Sequence, residues 1–166
     1  MTDSLAARFR RWYQYERDVH HAVLASLRSV PPEGREDGRW QAALDVFAHL
    51  LAARRLWLHR MTPGYPAPSG LFPRGITLEE VETERDEVEA VWTARLQALS
   101  DDDLRRPWEY TSLEGPRYRN TIEEIVTQLF GHGWYHRGQI AALVRACGGE
   151  PAPTDYIFWC RVPVPD

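Results

Sequence analysis

Cysteine is scarce in this sequence. Cys147 and Cys160 are too few and too unpatterned for a disulfide framework or a Cys-rich zinc site, and both are expected as reduced thiols. Long apolar runs are also missing. No stretch reaches the roughly 18 consecutive apolar residues that span a bilayer, and the segment 1–16 has no apolar centre flanked by a cleavage site. A membrane role is therefore not expected, and the expected compartment is the cytoplasm. Positive charge is not in excess either, because 20 Lys and Arg face 24 Asp and Glu for a net charge of −4. Without a basic field to drive counterion release, direct nucleic-acid binding is not expected. The chain carries neither an internal repeat nor a low-complexity tract.

What is present is the composition of an ordinary folded protein, with 43% apolar and 27% charged residues in 166. That length suits one domain over residues 1–166 with one core. Seven tryptophans, at 12, 40, 57, 92, 108, 134 and 159, are more than usual. Each offers a large apolar face with one polar N–H, suited to a core, a pocket rim or an interface.

Hydrophobic spacing predicts four long helices. From Ser4 to Val30, apolar residues such as Leu5, Phe9, Trp12, Val19, Val23 and Leu27 recur by three, four or seven, which is a helical period. Pro31-Pro32 ends it, and 33–39 reads as a polar loop. A second helix runs from about Arg39 to Met61. The Pro- and Gly-rich segment from Thr62 to Gly75 sustains neither helix nor central strand. Thr77 and Glu80 have the spacing of a capping box and open a third helix, to about Leu99. Aromatic and polar residues alternate around Glu114-Gly115-Pro116, which predicts a short hairpin. Thr121 and Glu124 repeat the capping-box spacing and open the fourth helix, which Gly148-Gly149 closes. The tail around Tyr156–Trp159 is apolar enough to pack back on the bundle. The fold class expected is all-α, a four-helix bundle with a hairpin before the last helix.

The fourth helix carries the chemistry. Ile122, Ile125, Leu129, His132, His136, Ile140 and Leu143 share one face, so two histidines four residues apart sit inside an apolar stripe. On the second helix, Ala42, Asp45, His49, Ala52 and Leu56 form a similar line, with alanines flanking His49. Two imidazoles at i and i+4 place their nitrogens at a spacing one metal ion bridges, and a third from a neighbouring helix completes the set. The other reading of the same residues is that His132 and His136 are hydrogen-bonded core histidines and His49 is unrelated to them. Gly131 and Gly133 weaken the helix and make sense where backbone or a ligand comes close. Asp45, one turn before His49, either orients its imidazole or caps or faces water. Arg137 is read first as an interhelical ion-pair partner and second as a group steering an anionic substrate. Trp134 and Tyr135 are read as packing residues. His59 falls about a hundred degrees off the face of His49, and His20 and His21 are placed at the surface.

The run Gly131-His132-Gly133-Trp134-Tyr135-His136-Arg137-Gly138-Gln139-Ile140 resembles the last-helix motif of the DinB-like proteins, two His four apart followed by Arg-Gly-Gln. Phe9–Tyr13, Phe47–Leu51 with Leu56-Trp57-Leu58, and the tail Thr154–Phe158 are similar to the corresponding segments of that family. The resemblance implies a four-helix bundle, often a homodimer, with a divalent transition metal at His49, His132 and His136. Zinc or nickel suits imidazole better than magnesium does. Some relatives are thiol transferases using bacillithiol, mycothiol or glutathione; others have no assigned activity. Two functions follow for the chain. In one, an enzyme activates a low-molecular-weight thiol for attack on an electrophile, or water for hydrolysis. In the other, a stress-response module holds a non-catalytic metal. A fourth protein ligand would favour the second, and an open position the first.

Overall fold

A computed structural model describes residues 4–165. Four long helices, α1 (Leu5–Arg28), α3 (Gly38–Met61), α4 (Leu78–Ala98) and α6 (Ile122–Ala146), form the bundle expected from the periodicity. Between and after them lie the short helices α2 (Pro32–Arg35), α5 (Asp101–Arg105) and α7 (Tyr156–Cys160), and the strands β1 (Pro107–Thr111) and β2 (Arg117–Thr121). α3 packs on both α4 and α6, and α1 packs on the same two from the opposite side. The helices that carry His49 and the His132–His136 pair, α3 and α6, are therefore direct neighbours.

The helix ends follow local chemistry. Both predicted capping boxes form, Thr77 with Glu80 and Thr121 with Glu124, and a third, Ser100 with Asp103, opens α5. At the C-terminus of α6, Gly148 takes φ +79°. Its N–H reaches the Arg145 carbonyl at 3.1 Å while Gly149 N–H reaches Val144 at 3.0 Å, a Schellman closure. The segment 33–39, expected as a polar loop, includes part of α2, because Pro32 sits at its first position, where a missing N–H costs nothing. β1 and β2 pair antiparallel with Tyr110 opposite Tyr118, as the hairpin reading required. The tail packs back: Tyr156 and Trp159 stand edge-on to Tyr15 at 5.1 and 5.7 Å, and Trp159 Nε1 donates to Asp18 at 2.8 Å. Of the seven tryptophans, only Trp92 is buried, and Trp134 is half-exposed.

The core has two apolar parts. One gathers Val19, Val23, Leu27, Leu44, Phe47, Leu51, Ile140 and Val144; the other gathers Phe9, Leu58, Trp92, Leu96, Ile125, Leu129 and Phe130. Between them on α1, α3 and α6 lie buried charged residues: Glu16 accepts from Arg54 and from Arg137. His20, placed at the surface by the sequence reading, is fully buried. Adjacent residues on a helix do point to different sides, but here the inward side is occupied by His20, whose Nδ1 lies 2.7 Å from Glu89 Oε1 on α4. Spacing alone does not show that a carboxylate on another helix awaits it.

Burial pushes the Glu89 carboxyl up to about 7, against the pull of Arg85, Arg17 and Arg54. Burial holds His20 well below its ordinary value. A carboxyl whose folded pKa is raised contributes stability below its unfolded value, and that contribution is lost as pH rises through about 7. Glu89→Gln keeps the shape and removes the anion. The variant is expected to gain stability relative to the parent as pH rises from 5 to 8, as read by urea denaturation at each pH. A difference that stays constant across that range would refute a raised Glu89.

Candidate metal centre

His132 and His136 project from one face of α6 and His49 from the facing side of α3, each half-buried. The structure brings the three predicted residues together. His132 Nε2 lies 3.0 Å from His136 Nε2 and 3.2 Å from His49 Nε2. Among the described residues, these three form the cluster of His, Cys, Asp and Glu able to hold a metal ion, and no fourth such residue joins it.

Two of the rings are oriented from behind. The His49 Nδ1–H donates to the Leu71 carbonyl at 2.5 Å, and the His136 Nδ1–H donates to Gln139 Oε1 at 2.7 Å. A carbonyl only accepts, so each bond fixes the proton on Nδ1 and leaves the Nε2 lone pair facing the centre. His132 Nδ1 is buried and has no partner. Three nitrogens meet with at most one proton among them, an arrangement that a cation satisfies and hydrogen bonding alone does not. Two nitrogens at about 2.1 Å from one ion stand about 3.0 Å apart at a right angle and about 3.4 Å apart at the tetrahedral angle. The two separations from His132 fall inside that range and all three donor atoms lie within 4.8 Å of one another, so the donor set fits a divalent transition metal.

Gln139 sits in the Arg-Gly-Gln part of the motif, three residues after His136, where a helix places it on the same face. The spacing could have revealed it. Leu71 could not be found, because it acts through backbone in a segment without periodicity. Asp45 does not orient His49. It accepts from Gln41 Nε2 at 2.9 Å and from the Ile76 N–H at 3.5 Å, and Arg74 stands 3.7 Å away. Gly131 has open space where a Cβ would stand. At Gly133 that Cβ would meet Arg137, Glu16 and Arg54 at 3.0–3.1 Å, so this glycine makes room for buried charge and not for the metal. Arg137 is the interhelical ion-pair partner that the sequence reading preferred. His59 is exposed and donates from Nδ1 to the Tyr65 carbonyl at 2.7 Å, away from the cluster. Cys147 and Cys160 are free thiols.

The segment 62–77 walls the centre. Phe72, itself largely exposed, stacks parallel on the His49 ring, 4.6 Å between centroids. Beside it a cleft of about 120 Å³ is lined by Asp45, Val46, His49, Phe72, Arg74 and His136. Ala52 lines, with Ala48, a second cavity of about 330 Å³ beneath residues 67–73.

Burial, then the neighbouring His136, His49 and Arg54, holds His132 down at about 4. His136 is also lowered by burial, partly offset by its bond to Gln139. A histidine lowered on folding takes up its proton first in the unfolded chain. Stability is thus whole above about 6.5 and falls as pH drops toward 4. In the metal-free protein, an NMR titration should put the His132 midpoint near 4. His132→Phe should shrink the loss of stability between pH 6.5 and 4. A midpoint near 6.5 would show that the ring is solvated and not held in the cluster.

The model of the DinB family matches residues 1–162. Protein DinB of Bacillus subtilis (strain 168) is 34% identical over 55 residues, 33% of this chain. The match spans about a third, 32%, of that relative's length. No solved structure matches the chain.

Proposed function

The chain belongs to the DinB family, and on that premise we propose that it is a metal-dependent enzyme whose site, His49, His132 and His136, activates a low-molecular-weight thiol for transfer to an electrophile. One observation carries this reading. Three imidazole lone pairs converge without a fourth protein ligand among the described residues, and the cluster borders a cleft through His49 and His136. Structural zinc sites are closed by four protein ligands, whereas reactive ones keep a position free.

The chain's own groups do the positioning. Leu71 and Gln139 hold two rings with their Nε2 atoms aimed at a common point, and neutral imidazoles leave a bound dication with most of its charge. His49, His132 and His136 would hold a divalent transition metal, zinc or nickel by the softness of the ligands, and that ion would supply the Lewis acidity that lowers a thiol's pKa. Phe72 covers one side of His49 and limits water there. Arg74 lines the cleft beside His49 and His136 as its cationic group. We place the protein in the cytoplasm as a homodimer. The exposed Trp134, Tyr135, Ile157 and Phe158 supply apolar area for symmetric pairing. No helix among the described residues is long and apolar enough to cross a membrane.

Purified protein should carry close to one transition metal ion per chain, and His132→Ala or His136→Ala should bring it close to zero. Metal retained by the double variant would sink the assignment. In a cobalt-substituted sample, one of several small thiols should change the visible spectrum and lose its free sulfhydryl faster when an electrophile is added. If no thiol alters the spectrum while simple esters or amides are hydrolysed, activation of water replaces thiol transfer. If neither occurs, the metal is non-catalytic. Light scattering at micromolar concentration should give twice the chain mass, and a monomer would remove the dimer.

A further inference from the structure

Directly behind the histidines, one carboxylate joins the two helices that carry them. Glu16 on α1 is completely buried; its Oε2 accepts from Arg54 Nη2 on α3, and its Oε1 accepts from Arg137 Nη1 on α6. Arg137 follows His136 in the chain, and Gly133 follows His132. Arg54 also donates to the Leu129 carbonyl of α6 at 3.3 Å, and Arg137 Nη2 donates to Tyr15 Oη at 3.2 Å. All three charged groups press against α6 at Gly133, where a Cβ would stand 3.0 Å from Glu16 Oε2 and Arg137 Nη1 and 3.1 Å from Arg54 Nη2. The clamp and the imidazoles thus share one level of the bundle.

We propose that Glu16 is a positioning residue of the metal centre, holding α3 and α6 in the register at which their histidines meet and offsetting part of the buried arginine charge behind them. The proposal rests on the reading that the histidines hold a divalent cation. Two consequences follow from losing the carboxylate. The guanidiniums of Arg54 and Arg137 lose the anion that both are bonded to, and α3 loses its shared anchor with α6. Arg54 reaches α6 next to His132, its Nη2 3.1 Å from where a Gly133 Cβ would stand. Unmatched, it opposes a dication in the same place. A planar guanidinium is suited to this two-handed use of one carboxylate, and every one of the chain's 20 basic residues is arginine.

Glu16→Gln tests the clamp with its volume preserved, and Gly133→Ala disturbs it without touching a charge. Leu27→Ala, a buried position on α1 in the apolar part of the core, serves as a control that lowers stability alone. Metal Kd is measured by competition with a chromophoric chelator well below each Tm, alongside the visible spectrum of the cobalt form. Imidazole ¹⁵N shifts are recorded in the metal-free proteins. Glu16→Gln and Gly133→Ala are expected to weaken the Kd by about 10–100-fold, the range for residues that orient metal ligands. They should also change the cobalt spectrum and displace the His132 and His136 signals, while Leu27→Ala leaves all three readouts alone. If Glu16→Gln does not fold, Gly133→Ala carries the test. Unchanged Kd, spectrum and imidazole shifts in the clamp variants would overturn the proposal and leave Glu16 a packing residue. If the parent binds no metal yet the imidazole signals still move, the positioning role stands and the metal reading falls.

Discussion

A charge taken out of water between helices must be matched where it stands, and in this bundle that constraint organises the centre. Two arginines, Arg54 and Arg137, are almost fully buried, and one carboxylate, Glu16, answers both. An isolated buried ion costs several kcal/mol even after relaxation. The helices therefore tolerate only the arrangement in which these three meet. Pairs of apolar side chains slide with modest loss, whereas a carboxylate shared by two guanidiniums does not. The apolar parts of the core above and below supply cohesion, and the polar layer between them supplies registry.

The same layer explains a conflict in the sequence of α6. Gly131, Gly133 and Gly138 weaken a helix whose middle carries His132 and His136 at a set spacing. Gly133 has a steric reason, since any larger residue meets the ion cluster. The helix gains back definition from its ends: a capping box at Thr121 and a Schellman closure at Gly148. Burial of Ile122, Ile125, Leu129, Ile140 and Val144 on either side of the histidines secures it further.

Periodic elements were legible from residues alone, and so was their chemistry where it repeated the helical period. The four long helices, two of the three capping boxes, the hairpin and the His132–His136 pair all express a spacing of two, three or four residues. His49 was legible as a candidate because its helix carries small neighbours and because of the family resemblance; its meeting with the pair is a tertiary fact. The buried partners were less visible. Glu16 reads as one polar residue on an amphipathic helix, and nothing in its own spacing shows that it answers Arg54 and Arg137. His20 was misplaced for the same reason, since Glu89 lies 69 residues away in sequence. Asp45, left open between orienting His49 and other roles, has a good position one turn from that ring but is spent on Gln41 and the Ile76 backbone.

The remaining dependence runs through the segment without regular structure. His49 owes its tautomer to the Leu71 carbonyl, a group whose position is set by the path of residues 62–77 and not by any helix. Side chains of the helices tie that path down. Gln41 Nε2 holds the Ile76 carbonyl at 2.9 Å, His59 holds the Tyr65 carbonyl, and Phe72 lies on the His49 ring. The cavity beneath 67–73 leaves the middle of the segment without core packing from below. His132 and His136 are thus placed by α6, while His49 takes its orientation from a strap whose own fit depends on that ring. The helix thereby defines where the nitrogens converge, and the strap beside His49 shapes what reaches them.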